Sequence, residues 1–134
     1  MIDIETEIFN IISQKVRENY PNTFITGEYV KTPSSMPCIS IIEIDNQMYN
    51  STQSTDSLEN HAQVVYEVNV YSNKKVGKKS ECKDIIACID NEFERLGFTR
   101  TFLNPVPNEI DATIYRIVAR YKAVVSKNNV IYRR

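Results

Sequence analysis

The chain has three glycines, three cysteines and one histidine in 134 residues, and each scarcity removes a class of chemistry. Gly27, Gly77 and Gly97 are too far apart to assemble a glycine-rich loop that cradles phosphate. Structural zinc needs about four Cys or His ligands, and Cys38, Cys82, Cys88 and His61 offer no ligand spacing. The same cysteines form neither a CxxC pair nor a dense disulfide framework, so they read as reduced thiols in a cytoplasmic setting. His61 stands at a loop-to-strand junction and reads as a surface or pairing residue rather than a base or ligand. No Ser-His-Asp or Cys-His system can be built on it beyond the presence of the residue types. Catalytic, cofactor and metal sites are therefore all expected to be absent, and the chain is not expected to be an enzyme.

Long apolar runs are missing too. Nothing approaches the roughly 20 residues that span a bilayer, and Asp3, Glu5, Glu7 and Lys15 interrupt the start where an export signal has a basic end and an apolar centre. These features predict a soluble protein with no membrane partner. A net charge of -1 supplies no bulk positive field for nucleic acid or anionic lipid.

What is present suits one globular domain over 1–134, with 42% hydrophobic and 25% charged residues. Ile4, Ile8, Ile11, Ile12 and Val16 recur at helical spacing and predict an amphipathic helix over 3–19, capped by Asp3 and ended by Tyr20-Pro21. Strands are predicted over 24–30 and 38–44, joined through Pro33 and Pro37. Residues 62–71 alternate cleanly, with Val64, Tyr66, Val68 and Val70 on one face and Glu67 and Asn69 on the other. A second helix over 79–96 carries the stripe Cys82, Ile85, Ile86, Ile89, Phe93 and Leu96, and Gly97 stands where its C-terminus favours a left-handed residue. Cys88 points away from that stripe, and Glu81, Asp84, Asp90, Glu92 and Glu94 read as a solvated arc. Further strands fit 98–103, 113–125 and 130–132. Short connections favour antiparallel pairing, and two helices with one apolar stripe each can cover one sheet face. The expected fold is α+β, a two-layer sandwich with a mainly antiparallel sheet, two helices on one face and a single core.

Three polar features stand out as contact candidates. Residues 45–60 form a long polar segment, either a mobile surface loop or an arm that orders against a partner, with Asn50, Ser54 and Asp56 as contacts. Lys74, Lys75, Lys78 and Lys79 cluster before the second helix, as an ordinary solvated loop or a polyanion-binding one. Arg116, Arg120 and Lys122 share one strand face, either at a subunit contact or paired across the sheet with carboxylates such as Glu67. Charge is also uneven along the chain: residues 1–60 hold nine carboxylates against Lys15, Arg17 and Lys31, and the remainder is net basic.

Residues 66–121 resemble the tail terminator (tail-completion) proteins of long-tailed bacteriophages and phage-tail-like particles. The resemblance lies in the alternating strand ending Val68-Asn69-Val70-Tyr71-Ser72-Asn73, the basic loop, and the helix closing on Leu96-Gly97-Phe98. The Pro105-Val106-Pro107-Asn108 turn, Asp111, and the strand from Ile114-Tyr115-Arg116 to Arg120-Tyr121 complete it, and the leading helix and proline-containing connection fit as well. The resemblance does not extend to residues 45–60, so it assigns no partner surface there. The resemblance implies a structural assembly protein without a reaction. Such a subunit forms a homo-hexameric ring at the head-proximal end of the tail, in the virion or particle, after synthesis in the bacterial cytoplasm. The ring caps the tail tube protein, stops polymerisation and offers the surface for the head-tail connector protein, with DNA at most passing through. A head-to-tail connector or head-completion protein is the alternative within assembly, and a stand-alone nucleic-acid-binding module or hydrolase the alternative of another class.

Overall fold

A computed structural model describes residues 1–30, 33–48, 61–108, 111–126 and 131–132. Helix α1, Glu5–Asn19, buries Ile8, Ile12 and Val16 on one face, with Ile4 just before it. Asp3 Oδ1 accepts the Glu5 amide at 3.1 Å, serving one of the N–H groups a helix start leaves open. The helix stops where the Tyr20 amide donates back to Val16 O, immediately before Pro21.

Strand β1 is only Phe24–Thr26, and it runs parallel to β2, Cys38–Met48, with Phe24 opposite Cys38. This corrects both the longer strand over 24–30 and the antiparallel pairing expected there. A parallel pair needs a connection that crosses the sheet. Of the described residues beyond β1, Tyr29 and Val30 reach the face away from the helices, where the Tyr71 hydroxyl donates to Val30 O at 2.9 Å.

Strand β2 pairs antiparallel with β3, His61–Ser72, from Cys38↔Tyr71 to Met48↔Ala62, with a register shift between Glu43 and Asp45. Asp45–Met48, expected as loop, is therefore strand; its polar side chains mark a largely solvent-facing end rather than missing pairing. Residues 49–60, with Asn50, Ser54 and Asp56, lie outside the described residues.

Strand β3 pairs with β5, Tyr115–Ser126, over twelve residue pairs. On the far side of β5 lie β4, Thr99–Pro105, and, next to Val124 and Val125, β6, Ile131–Tyr132. The order β1-β2-β3-β5-β4 leaves the sheet open. Helix α2, Lys78–Leu96, ends as expected on Gly97 at φ 101°, whose left-handed backbone lets the Phe98 amide reach Phe93 O.

The fold is α+β: a mainly antiparallel sheet with two helices on one face. Between the layers, Ile8, Ile12 and Val16 of α1 and Cys82, Ile85, Ile89 and Phe93 of α2 meet Ile39, Ile41, Val64, Tyr66, Val68, Val70, Ile117 and Tyr121. Phe93 stacks on Tyr121 with ring centroids 4.3 Å apart, and Phe98 meets Phe93 edge-on at 5.0 Å. The single core expected is joined by a second small cluster on the opposite face, where Cys38, Tyr71 and Ile114 pack with Met36. Among the described residues no helix is long and apolar enough to cross a membrane.

Ile89 is 0% exposed at the centre of the main core. Ile89→Ala is expected to lower unfolding free energy by about 2–5 kcal/mol in a denaturant titration.

Candidate assembly interface

Alternation along β3 and β5 places Glu67, Asn69 and Tyr71 with Arg116, Arg120 and Lys122 on the sheet face that the helices leave uncovered. Register sets Glu67 directly opposite Arg120 and Tyr71 opposite Arg116. Arg120 Nε donates to Glu67 Oε2 at 3.0 Å, and its guanidinium lies 5.1 Å from the Phe102 ring centroid. Arg116 Nε donates to Asn69 Oδ1 at 2.9 Å, while Asn69 Nδ2 donates to Glu67 Oε1 at 3.2 Å. Arg116 also reaches the Tyr29 hydroxyl at 3.4 Å and lies 5.7 Å from the Tyr71 centroid. One hydrogen-bonded lane thus runs Tyr29, Arg116, Asn69, Glu67, Arg120.

This lane withdraws the polar side chains of β3 from solvent. Glu67 is 8% and Asn69 0% exposed, because the long arginine side chains close over them. Their burial holds because each polar atom named here has a partner. Cross-sheet pairing, one of the two accounts of the basic stripe, describes Arg120 within the subunit. Lys122 is half-buried, opposite Val65 and Thr99.

The other basic candidates gather at the far end of the sheet. Lys74 and Lys75 are exposed in the turn after β3, and Lys79 is exposed in the first turn of α2. Lys78 is half-buried and donates from Nζ to Thr113 O at 3.1 Å. Lys74 stands 3.9 Å from Glu81, which also accepts the Ser72 hydroxyl at 2.7 Å. The cluster is thus partly tied down and is separated from Lys122 by the length of β5.

The carboxylate arc of α2 is less solvated than its spacing suggested. Glu92 is 7% exposed and pairs with Arg95 one turn on, which holds its carboxyl below the usual range by hydrogen bonding. Asp90 accepts both Arg100 at 3.1 Å and the Tyr121 hydroxyl at 2.9 Å. Asp90 gains its partners from β4 and β5, which helical periodicity cannot report, and Glu92 gains its partner from its own helix.

Burial pushes the Cys38 thiol up to about 11 and the Cys82 thiol up to about 12, so neither is a thiolate nucleophile at neutral pH. His61 opens β3 opposite Ser126. Among the described residues no group of three His, Cys, Asp or Glu is placed to hold a metal ion.

Acidic side chains collect at the opposite side of the molecule, around the start of α1 and β2. Glu43 accepts Asn46 Nδ2 at 3.0 Å, and its own amide donates to Glu5 Oε2 at 3.1 Å. Burial, reinforced by Glu5, Asp3 and Asp45 and opposed by the Asn46 hydrogen bond, raises the Glu43 carboxyl to about 7. Strand order converts the unevenness of the sequence into space. Asp3, Glu5, Glu7, Glu28, Glu43 and Asp45 lie with α1, β1 and β2, whereas Arg100, Arg116, Arg120 and Lys122 lie on β4 and β5. Sequence reasoning found the basic stripe but not Tyr29, Asn69 and Phe102 beside it, since only the register brings them together.

Two measurements check this geometry. Arg120→Ala leaves the buried Glu67 carboxylate with Asn69 alone and is expected to cost about 1–3 kcal/mol, part of which Glu67→Gln in the same chain restores. For Glu43, the folded carboxyl holds its proton to a higher pH than the 4.5 taken for an unperturbed glutamate. The unfolded chain then binds fewer protons between about pH 4.5 and 7, so stability falls as pH rises through that window. Glu43→Gln is expected to flatten this fall and to be more stable than the parent at pH 8, with no gain at pH 4. In comparison with known proteins, no family model matches the chain and no curated protein matches its sequence.

Proposed function

We propose that this protein is a ring-forming tail terminator, a structural subunit without catalytic activity that caps a tail tube, stops its polymerisation and presents a surface to the head-tail connector. The resemblance described above supplies the family. The observation that carries the reading is the segregation of charge across an open sheet, acidic at the β1 side and basic at the β4–β5 side. Unlike edges favour head-to-tail contact, and a head-to-tail contact whose rotation closes makes a ring. Opposite charge on the two contacting surfaces speeds docking and penalises like-to-like encounters. The uncovered sheet face, with its hydrogen-bonded arginine lane, is a preorganised polar surface suited to contact with the tube.

The test joins assembly state and activity. Sedimentation velocity of the purified chain is expected to show one discrete species near six subunits. Substoichiometric addition to polymerising tail tube protein from the same genome is expected to arrest tube growth. A chain that stays monomeric, leaves tube length unchanged and shifts DNA in a salt-sensitive manner would instead be a nucleic-acid-binding module.

A further inference from the structure

Among the described residues, the two outer strands of the sheet differ in more than charge sign. At the β1 edge, α1 and β1 enclose a groove of about 380 Å³ lined by Phe9 and Ile41, with Glu5 and Glu28 beside them. Glu28 is exposed and Phe9 half-buried. Two carboxylates around an aromatic ring suit one guanidinium, through ion pairing and the attraction of a cation to a ring face. At the opposite edge, β4 carries Arg100 with its side chain 47% exposed.

Strand directions make the two edges compatible. β1 is parallel to β2, and β2–β3, β3–β5 and β5–β4 are each antiparallel, so β1 and β4 run in opposite directions. A second copy in the same orientation therefore meets β1 with an antiparallel β4. Faces agree as well. Arg100 stands opposite Tyr121 on the helix-covered face and bonds to Asp90 of α2, and the groove lies on that same face beside α1. On the uncovered face, Phe24 at the β1 edge is 41% exposed and Phe102 of β4 is half-buried. Continuing the sheet brings these two rings to the same side of the junction.

We propose that the β4 edge of one copy docks antiparallel on the β1 edge of the next, with Arg100 entering the Glu5–Phe9–Glu28 groove. This docking rests on the ring reading above and names its subunit contact. The Arg100–Asp90 pair is partly exposed, and such pairs contribute little, so Arg100 can exchange partners at small cost. β1 has three residues, and β4 has a register shift after Arg100 and ends on Pro105. Short or irregular edges limit indiscriminate strand pairing. Side chains then select the partner: two β1 edges would oppose Glu28 to Glu28, and two β4 edges Arg100 to Arg100.

A charge-swap cycle on the full chain tests the contact by sedimentation equilibrium, with thermal melts as the check on folding. Glu28→Arg and Arg100→Glu are each expected to weaken association by about tenfold or more, and the double variant to recover most of it. Arg100→Glu sets a carboxylate near Asp90, so Asp90→Asn is combined with it if the melt drops; Asn keeps an acceptor for the Tyr121 hydroxyl. If both single variants assemble like the parent while the parent forms rings, the edge docking is wrong and the ring reading survives. If both singles weaken association yet the double variant does not recover, the pairing of Arg100 with this groove is wrong. A parent chain that is monomeric at every concentration overturns both.

Discussion

β3 and β5 pair from His61↔Ser126 to Ser72↔Tyr115 without a register shift, and the placement of every other element follows from that ladder. One face of the two strands is apolar and takes α2, through Ile89 and the Phe93–Tyr121 stack. The other carries Glu67, Asn69, Arg116 and Arg120 in positions where the ladder itself makes them neighbours. A slip of β5 by one residue against β3 would turn β5 over, burying Arg116 and Arg120 under a helix and exposing Ile117. Hydrophobic burial on one side and polar pairing on the other therefore enforce the same register.

The uncovered face is held by two devices of different strength. At one end, Met36 packs against Cys38, Tyr71 and Ile114, and Val30 O accepts the Tyr71 hydroxyl. In the middle, among the described residues, side chains close the surface, and the arginines shield Glu67 and Asn69 while keeping Arg120 in contact with solvent. The polar groups of this surface are bonded to one another, and Arg120 stays partly exposed beside them.

Strand order keeps the acidic N-terminal elements together. Had β1 and β2 inserted between β3 and β5, their carboxylates would have been neutralised by the basic strands. Lying instead beyond β3, they leave one edge acidic and the other basic. The raised Glu43 carboxyl follows first from its burial, opposed by the Asn46 hydrogen bond and reinforced by Glu5, Asp3 and Asp45 beside it.

Local pattern alone determined both helices, the β3 and β5 faces and the left-handed stop at Gly97, since each rests on spacings within one segment. It also showed the basic stripe and the acidic bias of the first sixty residues. Only the tertiary structure decided that β1 is short and parallel, that Asp45–Met48 extends a strand, and that Glu67, Asn69 and Glu92 are buried. Polar residues read as exposed in sequence because burial without a partner is costly, and the partners here come from Arg120, Arg116 and Arg95. The groove at β1 was hidden for a related reason: Glu5 and Phe9 belong to α1, Ile41 to β2 and Glu28 to the bend after β1, and they become one site only when the sheet and helix layers close.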